Sequence, residues 1–139
     1  MTTRRIVVDH VLFVVGDLAA SRRLYTAALA PVGYKELHVQ EDGVHYGVEG
    51  LDDFAVYQAD PVTTAAHLAF DAANRASVDA FFEAALANGA TARGEPGVWT
   101  QYSVRYYAGF VNDLHGNNVE AVWHAPEPVK DAPVREGVP

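Results

Sequence analysis

Residues 10–30, HVLFVVGDLAASRRLYTAALA, lie without a gap over residues 67–87, HLAFDAANRASVDAFFEAALA. Seven of the 21 columns are identical: His10, Phe13, Ala19, Ala27, Ala28, Leu29 and Ala30 each meet their own residue type. Alanine is common in this chain and explains several matches. The shared His, Phe and Leu are harder to dismiss, so the chain reads as one unit used twice.

Each copy follows the same plan. Residues 6–15 are rich in β-branched side chains and predict a strand. Asp17 is placed to cap the following helix by accepting a bond from a first-turn N–H. Leu18, Leu24, Tyr25, Ala28 and Leu29 form that helix's apolar stripe, and Pro31 and Gly33 end it. In the second copy Leu68 to Phe70 lies in the strand, and Asn74 or Ser77 is the cap. Val78, Phe81, Phe82, Ala85 and Leu86 recur at i, i+3, i+4, i+7 and i+8, and Asn88-Gly89 stops the helix. Short strands follow each helix: residues 34–40, 44–48 and 54–59 in the first copy, then 91–93, 103–112 and 118–124 in the second. The predicted order is β-α-β-β-β, twice. The expected division is one domain over residues 1–124, with modules at about 5–60 and 65–124. Residues 125–139 hold four of the seven prolines and show no periodicity, which predicts an extended or disordered tail.

Composition narrows the functional classes. With 139 residues the chain has room for one core. No apolar run approaches the roughly 20 residues of a membrane helix, and no cleavage site follows the first apolar stretch. Cysteine is absent, which excludes disulfides and thiolate metal sites. A cytoplasmic protein with no membrane partner is the expectation. Ten basic against 18 acidic residues give a net charge of −8, which argues against nucleic acid as a partner.

Of six histidines, His38, His45, His115 and His124 carry no signal beyond that of ordinary strand or loop residues. His10 and His67 stand apart because they occupy equivalent places in the two copies. Two imidazoles and one carboxylate form a triad able to hold a divalent metal with open positions. The carboxylate candidate is Glu120, in the apolar strand NVEAVWH over residues 118–124. Its alternative is a solvated glutamate on an open face, and spacing alone does not separate the two. Phe54, Tyr57, Trp99, Tyr102 and Tyr107 are the aromatic candidates for lining a substrate pocket, each weighed against a place in the core. Tyr106 and Tyr107 fall on opposite faces of their strand, with no indication of which faces the site.

Residues 106–124, YYAGFVNDLHGNNVEAVWH, resemble the last hairpin of the vicinal oxygen chelate superfamily, which includes glyoxalases, bleomycin-resistance proteins and extradiol dioxygenases. There an aromatic strand enters an Asp-Pro-x-Gly-Asn turn and leaves on a strand bearing a glutamate ligand. Leu114 replaces the proline. Asp9-His-Val, Val15-Gly-Asp-Leu18 and Leu24-Tyr25 resemble the family's opening strand and helix.

The resemblance implies an α+β fold: two βαβββ modules forming a curved, cup-shaped mixed sheet. It implies a divalent metal (Zn, Mn, Fe, Ni or Co) on His10, His67 and Glu120, a small-molecule substrate and a homodimer, with some relatives building each site from two chains. The fourth ligand place falls in Phe54-Ala-Val-Tyr57, which has no acidic residue. That argues against glyoxalase I, whose resemblance implies two facing carboxylates. Leu12 and residues 94–102 depart from the fosfomycin-modifying pattern. Phe110 and Gln101 stand near the places of the dioxygenase tyrosine and histidine. The expectation is an enzyme of lyase, isomerase or dioxygenase type, with a non-catalytic binding protein of the bleomycin-resistance type as the alternative.

Overall fold

Two helices back two separate sheets. A computed structural model describes residues 5–139; the first four residues of the predicted domain lie outside the described residues. The first sheet has the order β1-β4-β3-β2, from Val11–Val15 (β1), Lys35–Val39 (β2), Gly43–Val48 (β3) and Leu51–Gln58 (β4). The second has the order β5-β8-β7-β6-β9, from His67–Asp71 (β5), Thr91–Trp99 (β6), Tyr106–Asn112 (β7), Asn118–His124 (β8) and Val134–Arg135 (β9). In each sheet the first strand of the module runs parallel to the last, and the other pairs within the module are antiparallel. The βαβββ unit is therefore present twice, as the repeat predicts, and the fold is α+β.

The helices start where the sequence places their caps. Asp17 accepts from the Ala20 N–H at 3.1 Å and opens α1, Leu18–Leu29. Asn74, not Ser77, opens α2, Arg75–Ala87, accepting from the Ser77 N–H at 2.9 Å. A single 3-10 turn follows α1, and Gly33 at φ 96° closes it, a conformation that suits glycine. The two helices pack on each other, joining the modules.

Four strand boundaries differ from the sequence reading. Strand β4 begins at Leu51 rather than residue 54. Strand β1 begins at Val11 rather than residue 6, and Ile6, Val7 and Val8 are exposed. Strand β6 runs for nine residues rather than three; register shifts around Gly94 let it carry Pro96, which cannot donate to a regular ladder. Strand β7 starts at Tyr106 because residues 99–106 turn on themselves, with Tyr102 and Ser103 N–H both donating to the Trp99 carbonyl.

The core lies between sheets and helices. Register gives each strand a helix side and an open side. Val11, Phe13, Val15, Phe54 and Val56 face the helices in the first module; Leu68, Phe70, Val111, Val119 and Ala121 do so in the second. Phe54 is the aromatic hub, with ring centroids 5.3 Å from Phe13, 5.1 Å from Tyr25 and 5.4 Å from Phe70.

A polar tie reinforces this junction. The buried Asp113, in the β7–β8 turn, accepts from the Tyr25 hydroxyl of α1 at 2.6 Å and from three donors of its own turn. After His124 the chain turns back onto the domain: Val129 and Ala132 pack against the core, and β9 pairs with β6. No helix among the described residues is long and apolar enough to cross a membrane.

Candidate functional site

Glu120 sits on the open side of the second sheet with 1% of its surface exposed. A carboxylate in so dry a place needs partners. It has two. One oxygen lies 2.7 Å from His67 Nε2, and the other accepts the Tyr106 hydroxyl proton. The first contact follows from register, since Ala69 pairs with Glu120 and His67 stands one open-side step away on β5; Tyr106 shares the β7 face of Phe110, Glu120's partner. Burial, and then the bond to Glu120, hold the Tyr106 hydroxyl well above the usual phenol range. The walls are apolar. Trp99, Ala108, Phe110 and Val122 cluster beside the carboxylate, with Tyr106 packed against them. His67 remains half in water, its side chain 52% exposed, and offers the accessible end of the pair.

Tyr106 is thus the tyrosine on the site side. Tyr107 faces the helices, buried, with its hydroxyl on Asp79 of α2 at 2.6 Å; burial and that bond push it up to about 12. Its expected place in the pocket is corrected by strand alternation.

Phe54 belongs mainly to the core, although it also borders the cavity beside His10. It shares the helix side with Val11 and Val56 and is 1% exposed. Trp99 lies on the open side but is buried edge-on against Phe110, its indole N–H donating to the Ala108 carbonyl at 3.0 Å. Tyr102 is about half exposed and rests on Tyr106 at 4.8 Å, a rim position. Tyr57 lines a cavity on the other sheet.

His10 immediately precedes β1 of that other sheet. It is exposed, 2.7 Å from Asp9, and lines a cavity of about 400 Å³ with Leu12, His45, Asp52, Ala55 and Tyr57. Among the described residues no three His, Asp or Glu side chains gather as a metal seat. One chain therefore brings His67 and Glu120 together and leaves His10 apart. The donor chemistry suits a divalent metal, but a single chain provides two converging donors rather than three.

No family model matches the sequence, and no curated protein matches it significantly. Solved structures do. A glyoxalase/bleomycin resistance protein from Albidiferax ferrireducens T118 is 27% identical, covering 83% of this chain and 96% of that one, with a TM-score of 0.72. A glyoxalase/bleomycin resistance protein/dioxygenase family enzyme from Burkholderia phytofirmans PsJN is 18% identical over 84% and 98% of the two chains, TM-score 0.66. A glyoxalase/bleomycin resistance protein/dioxygenase from Alicyclobacillus acidocaldarius is 15% identical over 83% and 89%, TM-score 0.59. This is the fold of the vicinal oxygen chelate superfamily.

Within the vicinal oxygen chelate frame, the strand register identifies the position equivalent to Glu120 in the first module. Leu12 corresponds to Ala69 in the repeat; Ala69 pairs with Glu120, and Leu12 pairs with Ala55. Ala55 occupies the position equivalent to Glu120. The same correspondence sets His45, the β3 partner of Ala55, where Phe110 stands in the second module. The two open faces have diverged. One keeps a buried carboxylate among aromatics; the other replaces it with a methyl group and carries polar groups alongside.

Sequence reasoning passed over His45 and Asp52 and left Tyr106 unresolved. His45 and Asp52 lie on separate strands, and nothing short of the β3–β4 register signals their meeting. For Tyr106 the missing information was only which strand face is inward.

Proposed function

We propose that the chain is a metal-dependent enzyme acting on a small substrate through two adjacent oxygens, of lyase, isomerase or dioxygenase type. In this reading each site is shared by two copies: His67 and Glu120 come from one and His10 from the other. The observation that carries it is the His67–Glu120 pair, converging at 2.7 Å on an apolar open face while His10 stands exposed elsewhere. Exposed Ile6, Val7, Val8 and Leu12 beside His10 give a second copy apolar surface to cover.

Bound there, a divalent metal would supply Lewis acidity toward the substrate's oxygens. The protein's own contributions are separate. The Tyr106 hydroxyl orients the Glu120 carboxylate by holding its second oxygen. Phe110 and Trp99 exclude water from one wall, which strengthens every polar contact made against it. Ala55 provides no second carboxylate to act as a base, so proton transfer between two facing carboxylates of the glyoxalase I kind is not part of this reading.

The test is metal content of untagged native protein, followed by mixing. His10→Ala and His67→Ala should each lose metal binding, and a refolded mixture of the two should regain part of it. Binding that survives either substitution, or a mixture that regains nothing, overturns the shared site. A non-catalytic binding protein is the second reading. It is favoured by the way Glu120, His67 and Tyr106 satisfy one another without a metal. Native protein that takes up no metal on titration would select it.

A further inference from the structure

The cavity beside His10 contains a row of groups that the metal reading does not use. His45 on β3 has Nδ1 3.1 Å from an Asp52 carboxylate oxygen and Nε2 2.5 Å from the Tyr57 hydroxyl. That hydroxyl is also 3.0 Å from the Gln40 side-chain oxygen. Leu12 and Ala55 form the apolar part of the same cavity.

The order of contacts defines the chemistry. A carboxylate oxygen 3.1 Å from Nδ1 favours the tautomer that carries its proton on that nitrogen. With His45 neutral, Nε2 then has a free lone pair and accepts the Tyr57 proton. With His45 protonated, Nε2–H donates to the Tyr57 oxygen, and the Tyr57 proton turns to Gln40. Tyr57 has an acceptor for its proton in both forms, so the row can gain one proton without orphaning a donor.

Tyr57's position is also built. Its ring lies over Gly43, where any Cβ would fall 2.5 Å from Cε1, 2.6 Å from Cδ1 and 2.8 Å from Cζ. Only glycine leaves the ring in place. Three groups from two strands, one backbone gap and a cavity converge on one hydroxyl.

We propose that Asp52, His45 and Tyr57 form a proton relay that binds and deprotonates a small, mostly apolar ligand carrying a weakly acidic hydroxyl, of the phenol class. Tyr57 meets the ligand, while His45 and Asp52 act through it. The ligand O–H proton passes to the Tyr57 oxygen as the Tyr57 proton passes to His45 Nε2. The products are the ligand anion and an imidazolium paired with Asp52. No co-reactant is needed, and the proposal requires neither a metal nor a second copy.

The logic is that of a hydroxyl activated by a histidine which a carboxylate orients. His45 is faced by Asp52 and Tyr57 from β4 and by His38 from β2, whose Nε2 is 3.9 Å from the other Asp52 oxygen; Asp9 and His10 border the cavity from before β1.

The probe is para-nitrophenol, whose anion absorbs visible light, added to chelator-treated protein at a pH where the free compound is mainly neutral. Wild-type protein should bind it saturably and shift its absorbance to that of the anion. Tyr57→Phe should still bind but lose about tenfold in the ionised-to-neutral ratio, equivalent to one pKa unit. Asp52→Asn should move the pH midpoint of ionisation upward while leaving binding in place, which a purely structural role would not do. Gly43→Ala, which displaces the ring without removing the hydroxyl, should also reduce ionisation.

Absence of binding by the wild type, binding without ionisation, or ionisation unchanged in Tyr57→Phe would overturn the relay. Protein that binds no metal yet ionises the probe would sink the metal reading and leave the relay standing.

Discussion

Tyr106→Phe removes one oxygen atom and tests whether Glu120 is held as described. That hydroxyl is one of two partners of a carboxylate with 1% of its surface in water; the other, His67 Nε2 at 2.7 Å, is untouched by the change. A hydrogen bond to a buried charge contributes about 1.5–3 kcal/mol, and leaving the charge short of a partner forfeits it. Tyr106 is only partly buried, so water can replace some of the loss, and about 2 kcal/mol is expected.

For a chain of this size that lowers Tm by roughly 6 °C. Glu120→Gln removes the charge that Tyr106 was serving. The double variant should therefore be more stable than the sum of the singles by about 1 kcal/mol. Urea unfolding followed by tryptophan fluorescence measures all four proteins, since Trp99 stands 5.1 Å from Phe110 at the site. A Tyr106→Phe cost below about 0.5 kcal/mol, or strict additivity in the cycle, refutes the account of the buried carboxylate.

Three further outcomes can be checked alongside. Asp113→Asn keeps the oxygen that takes the His115 and Asn117 N–H groups but sets an amide where the Tyr25 hydroxyl and the Asn117 side chain donate; a loss of about 3 kcal/mol in urea unfolding is expected. Tyr34, Tyr46 and Tyr107 are held at about 12, chiefly by burial, against an ordinary 10.0. The unfolded chain releases these protons first, so stability is fully present below pH 10 and falls as pH rises toward 12; Tyr46→Phe should flatten that fall in alkaline denaturation. Gly97→Ala would place a Cβ 2.7 Å from the Pro133 carbonyl oxygen and 2.6 Å from Arg135 Cγ. It should loosen β9 from β6, read as faster tryptic cleavage at Lys130 and Arg135 with the domain otherwise intact.

Much of the architecture is local and repeats, which is why it is legible from the chain. The gap-free match of residues 10–30 to 67–87 marks two modules. The spacing of Val78, Phe81, Phe82 and Ala85 marks a helix and its buried face. Asp17 and Asn74 mark where helices begin. Each depends on neighbours a few residues apart, and the structure places them accordingly. The apolar character of Phe54, Ala55 and Val56 is legible in the sequence, and the pairing of Leu12 with Ala55 shows which of them matches Glu120 in register.

Other features depend on distance across the fold. Strand alternation divides residues into two faces without saying which face meets a helix, so Tyr106 and Tyr107 exchange roles only once α2 is seen to cover Tyr107. Proline and register shifts hide six of the nine residues of β6, because a bulged strand breaks the period that sequence reading uses. His10 and His67 look equivalent in the repeat, yet they belong to two separate sheets, and among the described residues His10 does not join His67 and Glu120 in a cluster. His45, Asp52 and Tyr57 meet because β3 folds back antiparallel on β4 and β4 is bulged where it faces Gly47. The residue types and the doubled module belong to the chain alone; which side chains share a site is a property of strand register and of the face each helix covers.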